Sequence, residues 1–381
     1  MNRWVTLGFI LAFLVLPSIT CSVKANPKTI VVPDDYPTIQ SAIDAAQAGA
    51  VISVKSGVYH ENLKVNKSIS LIGENRDSTV IDGNSSEGYR APCRIKSDNV
   101  TVSGFTLRDS WDGIQLWEVS GCNVSGNRMI NNHYGIMLGS VSGNSLIGNI
   151  INSVELGYGI YLLDGSNNVI EGNWITSSAE GIAVIDELFK PDAVITSKNN
   201  SILGNTIANC TDKAMWFKFT KENLMIGNTI ANSTIGLAII FTDNNTIYQN
   251  NFIDNAKQVA GGPEPIWSGG SGVRYSICQW DNGKEGNYWS DYNGVDANRD
   301  DIGDMPYTVN DNNTDNFPLM NPVSAQEITL PSPTPTESPS STPTTTPPNS
   351  ELFPTSQVVA ISASATVAAI GFIVYFKKSK H

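Results

Sequence analysis

Oxygen-bearing residues recur at alternate positions in an acidic stretch near the end of the folded part of the chain. They are Asp296, Asn298, Asp300, the Ile302 backbone carbonyl and, beyond it, Asp304. Calcium-binding loops use oxygen ligands at every second position in this way. The glycine that makes the sharp turn of such loops is replaced by Asp301, and no Glu stands at the twelfth position. We therefore predict a weak Ca²⁺ site, with a merely solvated acidic loop as the alternative.

A second group of residues could bind a sugar. It combines aromatic rings, two carboxylates and an imidazole, namely Trp111, Asp112, His133, Tyr134, Tyr158, Tyr161 and Glu180. Aromatic planes beside hydrogen-bonding groups suit sugar rings, so we predict a polysaccharide or cell-surface glycan as the partner. The alternative is that aromatic residues simply cover one flank of the fold. These residues are far apart in the chain, and only an internal repeat could bring them together.

That repeat is marked by one glycine about every 22 residues. The marks are Gly104, Gly126, Gly148, Gly172, Gly204 and Gly227, with Gln249 in place of the last. One interval is longer than the others because of an insertion near Glu187 to Thr196, and the register recovers after it. A fixed period that tolerates an insertion is typical of a stacked solenoid.

Apolar residues stand two positions before each mark and three positions after it, from Val102 and Leu107 to Ile247 and Phe252. The short, β-branched segments around them predict strands, and hence an all-β parallel β-helix with coils of about 22 residues. In such a fold, residues at the same position of successive coils lie side by side. Asp112 and Glu180 lie three coils apart, about 14 Å, which is too far for the carboxylate pair of a glycosidase.

Asparagine occupies two columns of the repeat. One follows the marks directly, and the other precedes them by four residues: Asn127, Asn149, Asn173, Asn205, Asn228 and Asn250; then Asn144, Asn168, Asn200, Asn223 and Asn245. Asn tolerates the left-handed backbone of tight corners, and stacked amides can bond from coil to coil. We therefore interpret both columns as structural.

The net charge of −12 disfavours nucleic acid as a partner, because such binding depends on Lys and Arg. Residues 1–25 predict a signal peptide, residues 326–356 a Pro/Ser/Thr-rich stalk, and residues 357–376 a transmembrane helix. The lysines in residues 377–381 predict a cytoplasmic tail. We therefore expect a cell-surface protein whose extracellular domain is anchored in the membrane by one C-terminal helix.

Nine sequons allow N-glycosylation, although an Asn-rich repeat also creates such triplets by chance. They begin at Asn66, Asn84, Asn99, Asn123, Asn199, Asn209, Asn232, Asn244 and Asn312. Four cysteines remain outside the signal peptide, namely Cys93, Cys122, Cys210 and Cys278. Their pairing stays open at this point.

The two ends of the solenoid carry family resemblances. We expect an N-terminal cap and first coils in residues 26–98, regular coils in 99–262, and a C-terminal cap with the Asp-rich loop in 263–325. A short helix near Pro37 to Ala46 would cover the open end. The stretch from Tyr36 to Glu74 resembles the opening of pectin-lyase-like β-helix proteins. The motif Gly286-Asn-Tyr-Trp-Ser-Asp-Tyr292, with the middle repeats, resembles the NosD-like family.

This resemblance implies a right-handed β-helix with repeats of the carbohydrate-binding and sugar-hydrolysis type. The favoured function is a structural or adhesive surface module that binds glycans. The alternatives are a polysaccharide-active lyase or hydrolase, or a NosD-type periplasmic accessory protein for metalloenzyme maturation. The Gly-His-Gly of polygalacturonases is absent, and outside the termini the histidines are only His60 and His133. The sequence therefore favours binding over catalysis and gives no support to a copper site.

Overall fold

A computed structural model describes residues 29–83, 91–152, 157–186, 196–262, 264–265 and 273–324. These residues form an all-β parallel solenoid, and a single short helix occurs among them. Residues 187–195 of the predicted insertion, the signal peptide, the stalk and the membrane helix lie outside the described residues. Within the described ranges, none of the helical structure is both long enough and apolar enough to cross a bilayer.

The first strand, Thr29–Val32, and the helix Ile39–Ala45 begin the solenoid. Thr38 caps the helix, because its hydroxyl accepts from the Ser41 amide. The helix buries Ile39, Ala42 and Ile43 in the apolar core. This arrangement confirms the predicted N-terminal helix and shows its apolar side closing the end of the core.

Each turn contributes strands to three parallel sheets. The first sheet has eleven: Thr29–Val32, Val51–Val54, Ser70–Gly73, Thr101–Ser103, Asn123–Ser125, Ser145–Ile147, Val169–Glu171, Ser201–Leu203, Leu224–Ile226, Asp243–Tyr248 and Ile277–Gln279. Neighbours in this sheet pair in register, as Val102 does with Val124 and Val124 with Leu146. The counted repeat therefore corresponds to one turn of the solenoid.

Two long strands, Thr106–Trp117 and Arg128–Gly139, bend through the second and third sheets. Their first halves join the second sheet: Gly57–Tyr59, Thr79–Asp82, Ile150–Asn152, Trp174–Thr176, Thr206–Ala208, Thr229–Ala231, Asn251–Ile253 and Tyr288–Trp289. Their second halves join the third sheet: Leu63–Val65, Cys93–Ile95, Tyr158–Leu163, Glu180–Ile185, Lys213–Lys218, Ile235–Ile240 and Lys257–Ala260.

The C-terminal region adds two antiparallel pairs, Glu264–Pro265 with Val273–Arg274 and Tyr307–Asn310 with Asn313–Asp315. The first and second sheets also continue into this region, through the strands at residues 277–279 and 288–289. Trp280 and Trp289 are almost fully buried there. Their indoles close the C-terminal end of the core.

The predicted apolar columns point inward and form one continuous core. Val102, Leu107, Ile114 and their counterparts on later turns are fully buried. Burial of apolar surface on this scale is the main stabilising contribution to the fold. The interior is therefore the part of the molecule that the repeat predicts best.

Both asparagine columns form buried ladders, which confirms their structural interpretation. Asn149 donates its backbone N–H and its Nδ2 to Oδ1 of Asn173, one turn further on, at 3.0 Å each. Other turns repeat this bonding, and the first ladder ends on the Asp315 carboxylate. The left-handed backbone lies on the preceding residue, as in Gly126 at φ +62°, so the corner explanation does not apply to these asparagines.

Candidate functional site

The outer surface of the third sheet, together with the bend that leads into it at Trp111 and His133, carries the seven residues of the predicted sugar site. We call this surface the aromatic face and define it by Trp111, Asp112, His133, Tyr134, Tyr158, Tyr161 and Glu180. The strand register places Asp112 opposite Tyr134, Tyr134 opposite Tyr158, and Tyr158 opposite Glu180. Residues separated by as many as 69 positions therefore form one surface, because consecutive turns stack in register.

The aromatic rings of this face pack on one another. Tyr134 and Tyr158 are stacked, with ring centroids 5.3 Å apart and planes 3° from parallel. Tyr161 meets both edge-on, and His133 lies 4.3 Å from the Trp111 ring and 4.8 Å from Tyr134. Because Tyr134 and Tyr158 each cover one side of the other ring, the face offers fewer free ring planes than separate aromatics would.

Asp112 lies at the N-terminal end of the aromatic face and is only 6% exposed. Its Oδ2 accepts a hydrogen bond from Gln115 Nε2 at 3.1 Å. Burial raises the pKa of this carboxyl to about 7, against the opposing effect of Arg94. Strand alternation predicts that the Asp112 side chain points outward. It does so, but its neighbours on the sheet cover it.

Glu180 lies at the other end of the face and is 8% exposed. Its Oε1 accepts from Lys213 Nζ at 2.9 Å, and Lys213 also contacts the Asp212 carboxylate. Burial raises the pKa of Glu180, while Lys213 opposes that rise. The second oxygen, Oε2, is buried and has no hydrogen-bond partner. The free acceptor is thus a property of the folded face that no sequence pattern showed.

Burial also acts on the imidazole and on one tyrosine. It lowers the pKa of His133, which favours the neutral ring at physiological pH. Burial and the nearby Glu180 carboxylate raise the pKa of Tyr158, so its phenol stays protonated. The centre of the aromatic face is therefore uncharged, and its charges lie at the two ends.

Trp216 extends the face by one turn and was not among the predicted site residues. It lies opposite Ala183 in the third sheet, with Lys213 Nζ 4.8 Å and Lys218 Nζ 5.4 Å from its ring centroid. Its indole Nε1 is buried without a partner. The signal for it was present in the sequence, because Trp216 shares the repeat column of Tyr161.

An apolar cluster separate from the main core lies beside Trp216. It consists of the buried residues Leu163, Ala183 and Ile185, and the half-buried Trp117, Tyr158, Tyr161 and Trp216 pack against it. These side chains belong to the third sheet, so they form an apolar area on the outside of the solenoid. The aromatic face therefore combines apolar surface with polar atoms at its edge.

The acidic loop shows a different geometry from the aromatic face. Oδ1 of Asp296 accepts from the Arg299 and Asp300 amides, and its Oδ2 accepts from the Asp301 amide. Among the other predicted ligands, Asn298 bonds Asp300, Asp300 accepts from the Ile302 amide, and Asp304 accepts from the Ala297 amide. The loop is held by its own oxygens, and its Ca²⁺ site stays a prediction.

Soft metal donors form no group of three in the part of the chain that the structure describes. The four cysteines, Cys93, Cys122, Cys210 and Cys278, are buried free thiols. Burial raises the pKa of Cys93, Cys210 and Cys278 to about 12, which disfavours thiolate ligands. His60 is exposed, 3.8 Å from Asp82, and the described residues contain no group of three His, Cys, Asp or Glu able to hold a metal ion.

Comparison with known proteins identifies a family. The family described as "Periplasmic copper-binding protein (NosD)" matches residues 38–188 and 193–294 of this chain. The copper in that description requires clustered imidazole or sulfur ligands. The described residues do not fit such a site, because burial raises the pKa of all four thiols and His133 is packed between Trp111 and Tyr134.

Relatives of this chain include proteins of the cell envelope. A cell surface glycoprotein of Methanothermus fervidus is 34% identical over 109 residues, which are 28% of this chain and 18% of that protein. A probable ABC transporter binding protein NosD of Pseudomonas aeruginosa is 28% identical over 190 residues, 50% of this chain and 32% of the relative. The chain thus matches a third or less of the length of either relative.

Among solved structures, a pectin methylesterase from carrot is similar at a TM-score of 0.44 and 14% identity, covering 68% of this chain and 89% of the other. The family match in sequence is much more extensive than the matches to individual relatives, because it spans well over half of the 381 residues. The chain therefore belongs to the NosD family of β-helix proteins.

Proposed function

We propose that this protein is a surface module of the cell envelope that binds a glycan along the aromatic face. The observation that carries the proposal is the continuous aromatic surface from Trp111 to Tyr161, built by three consecutive turns of the third sheet. Aromatic side chains with polar groups at their edges provide the combination of apolar contact and hydrogen bonding that sugars need. Its outward position makes it available to an extended ligand.

The shape of the site favours a chain-like ligand over a small molecule. The turns from Asp112 to Glu180 stack at the spacing of neighbouring strands, so the face extends about 14 Å along the solenoid axis. A row of half-buried rings presents a shallow surface, and a shallow surface gains affinity by contacting several sugar units. We therefore propose an oligosaccharide or polysaccharide as the ligand.

Binding also accounts for the acidic groups better than catalysis does. Two tyrosine-bearing strands separate Asp112 from Glu180, so the carboxyls are too far apart to act as the acid and base of a glycosidase. Glu180 is instead engaged by Lys213. We propose that both carboxyls accept hydrogen bonds from polar groups of the ligand.

The names of the relatives and the composition of the terminal segments support a proposed location. The relatives carry names that place them at the cell surface or in the periplasm. We propose that this protein is exported, that the solenoid lies outside the cytoplasmic membrane, and that residues 357–376 anchor it. Protease digestion of intact cells tests this, because the solenoid should be cut while residues 377–381 stay protected.

The test of glycan binding uses the full-length protein on a panel of immobilised glycans, followed by calorimetry on the best ligand. Tyr134→Ala/Tyr161→Ala should lower the affinity roughly tenfold or more, because stacking contacts are lost. Tyr248→Ala is the matched control, since Tyr248 lies half-buried on the outer side of the first sheet. No retained glycan, or equal affinity in the double variant, would contradict the proposal.

A further inference from the structure

Two polar atoms on the third sheet are buried without hydrogen-bond partners. They are Oε2 of Glu180, an acceptor when the carboxyl is ionised, and Nε1 of Trp216, a donor. Buried polar groups in proteins are almost always bonded, because an unmade bond leaves their desolvation uncompensated. An unmatched acceptor and an unmatched donor on the same sheet indicate a place prepared for a group from another molecule.

The two atoms belong to one small region. Lys213 links them, since its Nζ lies 2.9 Å from Glu180 Oε1 and 4.8 Å from the centre of the Trp216 ring. The strand register gives the same result, because Trp216 pairs with Ala183, three residues after Glu180 on the adjacent strand. Glu180 and Trp216 therefore both contact the side chain of Lys213.

The space beside these atoms is apolar on one side, while Lys213 and Lys218 lie on the other. Ala183 belongs to the outer cluster with Leu163 and Ile185, and Trp216 packs against that cluster. A ligand group that matches this environment needs a hydrogen-bond donor for Glu180, an acceptor for Trp216, and a small apolar end. An acetamido group has these three features in its N–H, its carbonyl oxygen and its methyl group.

We infer that the region between Glu180 and Trp216 is a subsite for the N-acetyl group of an amino sugar. The inference rests on the proposed glycan-binding function and specifies the class of sugar. The acetamido N–H donates to Glu180 Oε2, the carbonyl accepts from Trp216 Nε1, and the methyl group contacts Ala183 and its apolar neighbours.

Other sugar substituents match the subsite less well. A hydroxyl group can donate to Glu180, but it leaves the apolar cluster without a partner. A uronate carboxylate has neither a donor for Glu180 nor an apolar end for the cluster around Ala183. An unsubstituted amine is a donor without an acceptor, so Trp216 Nε1 would remain unbonded.

Entry of the ligand requires a local rearrangement. Both unpartnered atoms are covered in the free protein, whereas the side chains of Lys213 and Trp216 around them are only half-buried. Rotation of these two side chains would open the subsite without moving the strands. Side-chain changes of this kind are common when a ligand binds to an otherwise rigid surface.

The experiment compares ligands that differ only at one substituent. The full-length protein is titrated with the β-1,4-linked tetramer of N-acetylglucosamine, with the glucosamine tetramer and with cellotetraose; N-acetylgalactosamine and galactose form a second matched pair. We expect at least a tenfold preference for the N-acetylated member of one or both sets. Trp216→Phe keeps the ring but removes the donor, and it should reduce that preference to less than threefold.

Glu180→Gln should likewise reduce the preference, because the neutral amide oxygen is a weaker acceptor than a carboxylate. Trp174→Phe and Glu171→Gln are the matched controls, since Trp174 lies on the second sheet and Glu171 on the first. A thermal unfolding curve for each variant verifies that it is folded. Unchanged preference in Trp216→Phe overturns the subsite, and glycan binding without N-acetyl preference overturns it while leaving the proposed function intact. Binding to no glycan overturns both.

Discussion

The asparagine ladders and the aromatic face are built by the same turns of the chain. They differ in residue type along the column and in hydrogen bonding between turns. The first ladder repeats one residue type from Asn127 to Asn250, and its side chains are at most 1% exposed. One column of the aromatic face instead changes from Asp112 through Tyr134 and Tyr158 to Glu180 and Lys213. The ladder amides bond to one another, whereas the face retains unpartnered atoms.

The ladder residues are required for the stability of the fold, whereas the outward residues of the third sheet can vary without disrupting it. A ladder residue must satisfy the turn before it and the turn after it, so any other side chain breaks two sets of hydrogen bonds. An outward residue of the third sheet does not have to form hydrogen bonds with the turns on both sides. Variation along an outward column, combined with burial and shifted pKa values, is therefore the better guide to a binding surface in this solenoid.

The most damaging change should be in a ladder. Asn205→Ala removes the acceptor of the Asn173 amides and the donor to the Ile170 carbonyl. Because each buried group left unbonded costs about 1–3 kcal/mol, we expect the free energy of unfolding to fall by about 3–5 kcal/mol in urea titration.

Asn232→Ala is the control for that substitution. Asn232 is exposed at a corner with φ +52°, so its replacement should cost about 1 kcal/mol through the backbone alone. Equal losses in the two variants would show that the ladder contributes no more than a corner asparagine, and the contrast between the two regions would fail.

Asp112 of the aromatic face should make the free energy of unfolding depend on pH. The folded-state pKa of Asp112 is about 7, above the unfolded value of about 3.9, so folding favours the protonated carboxyl. The stability it contributes is complete below about pH 4 and is lost as pH rises through about 7, by at most about 1.4 kcal/mol per pH unit.

Asp112→Asn should therefore become increasingly more stable than the unsubstituted protein between pH 4 and pH 8, as measured by urea titration at each pH. Asp254→Asn is the control, because Asp254 is exposed at a corner whose left-handed backbone Asn tolerates. A constant difference between Asp112→Asn and the unsubstituted protein across this range would contradict the prediction.

The tyrosine stack should matter less for stability than for binding. Tyr134→Ala removes the ring that stacks on Tyr158 and contacts Tyr161. We expect a loss of about 1 kcal/mol beyond that of Tyr248→Ala, the value typical of one aromatic pair. A loss as large as that of Asn205→Ala would mean that the stack is part of the scaffold, and its role as a binding surface would lose its main support.

The repeat made much of the fold predictable. Counting the glycine marks gave the register of the sheets, because Val102, Val124 and Leu146 pair as their equal phase predicts. The strand Gly57–Tyr59 was missed because Gly and Tyr show no alternation there. The strands at 277–279 and 288–289 were missed because the chain between turns is longer in that region, so the period no longer identifies them.

The site was predictable in position but not in chemistry. Equal phase in the repeat brought together Tyr134, Tyr158 and Glu180, as the structure shows. The burial of Glu180 and its free oxygen depend on how Lys213 and the outer apolar cluster pack. The repeat pattern of the sequence does not show this packing. Trp216 shares the repeat column of Tyr161, so the same phase argument reaches it.

The smallest expected effect concerns the acidic loop, which contrasts with both regions because its oxygens are exposed and bonded to their own backbone. A Ca²⁺ ion must compete with the amides that Asp296 and Asp300 already accept from, so binding should be weak. We expect millimolar Ca²⁺ to stabilise the protein by less than about 1 kcal/mol, as for any ligand near its dissociation constant.

Asp296→Ala/Asp300→Ala should abolish this shift of the unfolding temperature in calorimetry. Asp311→Ala, in the neighbouring hairpin turn, should retain it. An identical unfolding temperature with Ca²⁺ and with a chelator would leave the loop as a solvated turn held by its own carboxylates.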